Sequence, residues 1–176
     1  MPSAGRPFTR ELLARLTTRE IGIAPLVLHT GVASLEEHEP PYEEFYRVPL
    51  ATARRVNAAR GAGRTVVAVG TTVVRALEHA ADVCGRVKAG YGIATTRIDE
   101  KTRLRVVDVI LSGVHEPATS HYQLLRAFTD SETLVRATEL MSALDYRTHE
   151  FGDSVLIVAQ RLRRAEALRH LQRGKG

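Results

Sequence analysis

Residues 65–78 read TVVAVGTTVVRALE. The β-branched run at 65–69 predicts a strand, Gly70 a tight turn, and the segment beyond it a helix with Val74, Leu77 and Ala81 on one face. Thr71 and Thr72 stand where hydroxyl caps belong. Such a junction presents free backbone N–H groups and the positive end of a helix dipole, which favour an anionic or electron-rich ligand group. Arg75 and Glu78 lie one turn apart, so both can reach a ligand at the strand's carboxyl end. The plainer reading of the same two residues is a surface ion pair.

The pattern continues on both sides. Residues 9–19 predict a helix capped by Thr9, and 23–28 a buried strand. Pro49 opens a helix through about Arg60, stopped by Gly61, Ala62 and Gly63. Residues 93–98 and 104–111 are extended and flank a polar turn, so a hairpin is expected there. Helices follow near 119–128 and 132–143, and a last buried strand at 154–159. Strands alternating with helices predict an α/β fold with a largely parallel or mixed sheet and flanking helices. Residues 1–160 read as one α/β domain and 161–176 as a basic, helical tail.

Composition narrows the classes. The 176 residues include a single cysteine, Cys84, which excludes an internal disulfide framework and points to a reducing, cytoplasmic setting. No run approaches the ~18 apolar residues of a membrane span. The net charge is +5, and the tail alone carries it: six basic side chains against Glu166, while the rest of the chain holds 19 of each sign. Such a tail contacts RNA phosphates or docks as a helix on its own protein. The seven histidines lack zinc-ligand spacing and one cysteine supplies no thiolate set, so no metal is expected. His29 ends an apolar strand before a Gly-containing loop, and His115 sits between a small-residue loop and Pro117; both are candidates for acid–base work or for structural hydrogen bonding. His121 reads as a surface or loop residue. Asp153, after Gly152, is either a turn residue or a carboxylate facing a site.

The stretch GTTVVRALE at 70–78 resembles the GTT-x-VR-x-LE signature of the S-adenosylmethionine:tRNA ribosyltransferase-isomerase family of queuosine biosynthesis. Four other segments resemble that family in the same order: PSAGRPFTRELLARL at 2–16, LVLHTGVASL at 26–35, DVILSGVHEPATSHYQLLRAF at 108–128 and YRTHEFGDSVLIV at 146–158. The resemblance is to the carboxyl-terminal half of the family's chain. It implies half of an α/β barrel-like domain. It implies a reaction that transfers and isomerises the ribosyl group of S-adenosylmethionine onto a 7-aminomethyl-7-deazaguanine base in tRNA, giving epoxyqueuosine. S-adenosylmethionine is then a consumed substrate, and no cofactor is needed. The implied catalytic residues are His115, Asp153 and Glu78; the implied substrate-binding residues are His29, Gly31, Gly70, Thr71, Thr72 and Arg75. The implied partners are tRNA and the missing amino-terminal half, or a second copy of this chain, with no membrane.

Several family positions are replaced. The family's LHF reads Arg6, Pro7, Phe8; its His-x-Met-His-x-Glu keeps only Glu44; its NFHLP keeps His115 and Pro117. These losses leave open a diverged, non-catalytic relative that binds a nucleoside or a partner chain.

Overall fold

The computed structural model describes residues 3–29, 43–117, 119–147 and 152–162. After a 3₁₀ turn at Ser3–Gly5 the order is α1 (Arg10–Thr18), β1 (Val27–His29), β2 (Glu44–Val48), α2 (Leu50–Gly61), β3 (Val67–Val69), α3 (Thr71–Ala80), β4 (Gly90–Ala94), β5 (Val109–Gly113), α4 (Ser120–Leu125), α5 (Ser131–Ala143) and β6 (Ser154–Val158).

Helix starts follow local chemistry. The Thr9 hydroxyl accepts from the Leu12 N–H, the Thr119 hydroxyl from the Tyr122 N–H, and the Asp130 carboxylate from the Thr133 N–H at 2.7 Å. Helix α2 follows Pro49, whose ring fixes a φ of −61°. Helix α3 differs from expectation. Its N-cap is Gly70, at φ +100°, and no side chain caps it. Thr71 and Thr72 lie inside the first turn. The positive φ explains the glycine, and its N–H donates to the Leu111 carbonyl at 2.9 Å.

Of the two alternatives expected, the sheets take the mixed one rather than the largely parallel one. One is antiparallel, in the order β1–β2–β4. The other has the order β3–β5–β6, with β3 parallel to β5 and β6 antiparallel to it. The architecture is mixed α/β, with a single parallel pair among the described strands. The expected hairpin does not form either. Strand β4 pairs with β2 while β5 sits between β3 and β6. The N–H groups of Arg105, Val106 and Val107, which a hairpin would pair, donate instead to the Glu78 carboxylate. The strand expected at 23–28 shrinks to β1, with Val27 exposed. Pro25 has no N–H for a ladder, and the carbonyls of Ile23 and Pro25 accept from Arg55 and Thr52 of α2.

Helix α3 lies against both sheets, touching β2 and β4 of one and β3 and β5 of the other. Its Val74, Ala76, Leu77 and Ala80 join Val48, Val106, Ile110 and Phe128 in one core. Gly92 faces Tyr46 across the antiparallel ladder, and the phenol ring occupies the space a Cβ would take. The tail begins by docking: Arg161 donates to the carbonyls of Leu104 and Val107 and pairs with Asp108 at 2.9 Å. The rest of the basic tail lies outside the described residues. Among the described residues no helix is long and apolar enough to cross a membrane.

The cap of α5 has a pH signature. Hydrogen bonds from the Thr133 N–H and hydroxyl hold the Asp130 carboxyl down at about 2. A depressed carboxyl stabilises the fold above its unfolded value of about 4, and that contribution is lost as pH falls toward 2. Asp130→Asn keeps the cap and removes the titration. Its urea midpoint should therefore fall less steeply than the wild type's between about pH 4 and 2.

Candidate functional site

Alternation along β2 places Glu44, Tyr46 and Val48 inward and Phe45 and Arg47 outward. Glu44 thereby meets Arg75, which projects from the first turns of α3. The guanidinium lies 2.9 Å from the Glu44 carboxylate and donates to the Ala94 carbonyl of β4 at 2.8 Å. Both side chains are buried. Burial pushes the Glu44 carboxyl above the usual carboxylate range, and the Arg75 cation only partly opposes this. A small cavity of ≈ 20 Å³ sits beside the pair, lined also by Thr71, Arg97, Ser120 and His121.

His121 connects this cavity to a second group. Its ring stands 4.9 Å from that of His115, tilted by 39°. The His115 Nε2 lies 2.8 Å from the Oγ of Ser112, which is buried near the end of β5. That bond fixes the ring's orientation and couples its tautomer to the serine hydroxyl. The arrangement is a buried cation–carboxylate pair, three hydroxyls and two imidazoles around the amino end of α3. It offers charge to bind a polar substrate group and an imidazole held in place by a hydroxyl.

Of the residues anticipated from sequence, Thr71, Arg75 and, through His121, His115 come together here. Gly70 forms the turn below them. Thr72 is adjacent on α3 and half-buried. Glu78 does different work: one oxygen accepts from the Arg105 N–H at 2.8 Å, the other from the Val106 and Val107 N–H groups at 2.9 Å each. Asp153 closes a turn, its carboxylate accepting from the Arg147 N–H at 2.9 Å and its carbonyl from the Val114 N–H. It thus sits beside the strand end that leads to His115, with its carboxylate held by backbone. His29 is exposed on the outer face of the antiparallel sheet, with Val27, Phe45 and Tyr91, opposite the face that carries Glu44. Gly31 lies outside the described residues.

Three contributors stood outside the anticipated site, although Glu44 was already noted as a retained family position. Glu44 was legible as the first inward position of an alternating strand. His121 was legible as one turn from Leu124 and Leu125 on a helix with a buried side. Ser112 carries no local signal; only its distance to His115 reveals it.

The fold agrees with comparisons to known proteins. The model of a family described as "Queuosine biosynthesis protein" matches residues 1–157. The chain belongs to that family. It is similar to S-adenosylmethionine:tRNA ribosyltransferase-isomerase of Trichlorobacter lovleyi, 37% identical over 164 residues, covering 89% of this chain and 48% of that protein. The Moorella thermoacetica enzyme of the same name is 37% identical over 165 residues, with the same two coverages. A crystal structure of S-adenosylmethionine tRNA ribosyltransferase from Thermotoga maritima matches with a TM-score of 0.73 at 32% identity, covering 88% of this chain and 51% of that one. The chain thus spans about half the length of the curated relatives it matches.

Two stability measurements separate the roles of the α3 charges. Glu78→Ala strands three backbone N–H groups, two of them buried. At about 1–3 kcal/mol for each buried group, it should lower the unfolding free energy by at least about 2 kcal/mol in urea. Arg75→Met leaves Glu44 buried and unpaired and should cost about 3–5 kcal/mol, much of it recovered in the Glu44→Leu, Arg75→Met double variant.

Proposed function

We propose that this chain carries the site-bearing portion of an S-adenosylmethionine:tRNA ribosyltransferase-isomerase. The observation that supports it is the Glu44–Arg75 pair beside Thr71 and the His121–His115 rings, in a chain of this family. S-adenosylmethionine is read as a consumed substrate, without a further cofactor. Arg75 and Thr71 bind its polar groups. Glu44 is poised to face positive charge as it develops on the ribose. His115, oriented by Ser112, supplies the proton that the departing adenine needs. Glu78 and Asp153 act through the backbone they hold: one fixes the connection into β5, the other the turn beside Val114.

The acceptor is read as a 7-aminomethyl-7-deazaguanine base in tRNA. In this reading the two sheets are part of a barrel-like domain, and activity needs the rest of the relatives' length, or a second copy of the chain, to complete it. A second reading is a non-catalytic nucleoside-binding relative. It is favoured by the use of both carboxylates, Glu78 and Asp153, as backbone acceptors.

Mass spectrometry of tRNA incubated with S-adenosylmethionine and the longest natural form of the protein tests the choice. The enzyme reading predicts an epoxyqueuosine-sized addition, lowered about 10²–10⁴-fold by His115→Ala and less by Ser112→Ala. Tight S-adenosylmethionine binding with no addition to tRNA would favour the second reading.

A further inference from the structure

A second cavity, of ≈ 270 Å³, opens between α4, α5 and β6, beside Val114 and His115, which follow β5. Its walls include Val114, Leu125, Leu134, Met141 and Ile157. Tyr122 is set into the same wall. It is 5% exposed, and its hydroxyl is buried without a hydrogen-bond partner among the described residues. Buried polar groups are nearly always paired, so an orphan of this kind calls for an explanation. A phenylalanine would fill the same volume without burying a hydroxyl. His115 also lines this cavity. Its ring neighbour His121 lines the small cavity beside Arg75. The two hollows therefore lie on either side of the histidine pair.

We propose that this cavity is a subsite for a purine base, the adenine of S-adenosylmethionine, with the Tyr122 hydroxyl meeting the polar edge of the ring. The assignment of adenine rests on the ribosyltransferase reading. Size supports it: drug-sized ligands occupy about 300–1,000 Å³, so ≈ 270 Å³ receives one base rather than a whole nucleoside with its amino acid arm. Chemistry supports it as well. A base has apolar faces and a hydrogen-bonding edge, which suits aliphatic and thioether walls that carry the buried Tyr122 hydroxyl and the hydroxyls of Thr129, Thr133 and Thr138. The zwitterionic methionine end does not suit them, because no carboxylate, ammonium or guanidinium lines the cavity. Within the lining, His115 supplies the imidazole. It stands between the base subsite and the charged pair at Arg75.

Calorimetry of the full chain with free adenine, and separately with L-methionine, tests this. Wild type should bind adenine saturably. Tyr122→Phe should weaken adenine about tenfold, the loss of one hydrogen bond, with a melting temperature unchanged or raised because the orphan hydroxyl is gone. Ala137→Leu, which pushes a larger side chain into the cavity from α5, should abolish adenine binding in a folded protein. Adenine affinity equal in wild type and Tyr122→Phe would overturn the proposal. So would methionine binding that depends on Tyr122, or no saturable adenine binding by wild type. If adenine fails while the longest natural form binds S-adenosylmethionine in an Arg75-dependent way, the subsite is wrong and the ribosyltransferase reading stands. If that form does not bind S-adenosylmethionine at all, the reading itself falls.

Discussion

The structure depends on the polar stripe of α3. Arg75 ties the helix to the antiparallel sheet through Glu44 of β2 and the Ala94 carbonyl of β4. One turn on, Glu78 ties it to the backbone at 105–107, which leads into β5 of the other sheet. Two small sheets with no strand in common are thus fastened to one helix by two buried charges. Buried ions are costly to desolvate and are kept only where their hydrogen bonds are met. Here the Glu78 carboxylate meets three N–H groups and Arg75 meets a carboxylate and a carbonyl. By the same cost, removal of one partner alone at either position is expected to destabilise the fold.

That fastening also makes the site. Because Arg75 is held by β2 and β4, its guanidinium stays at the amino end of α3, beside Thr71 and the small cavity. Because Glu78 holds the connection into β5, the end of that strand is placed where Ser112 meets His115. The imidazole pair then bridges the two hollows. Structural and chemical roles are divided along one helix, four consecutive residues of which, 75–78, are buried.

Much of this was legible in the sequence where the determinant is local. Gly70 between a β-branched run and an amphipathic segment marks the junction, and Thr9, Pro49, Thr119 and Asp130 mark helix starts by their capping chemistry. Pairing partners were not legible. The runs at 93–98 and 104–111 look like a hairpin because both are apolar and a turn divides them, yet each finds its neighbour far along the chain, β4 on β2 and β5 between β3 and β6. The fate of Glu78 was hidden for the same reason: its partners lie 27 to 29 residues away. Arg75 and His115 carried recognisable motifs; Ser112 gained meaning only from its distance to His115.

Hydrogen–deuterium exchange of the longest natural form, with and without S-adenosylmethionine, tests most directly the claim that the end of α3 is both the joint and the binding site. The account predicts slowed exchange on binding at 70–75, 112–115 and 120–122, with the backbone at 105–107 already slow in the free protein because Glu78 holds it. Binding by calorimetry with protection confined to the outer face of β1, β2 and β4, around His29, Phe45 and Tyr91, would contradict it.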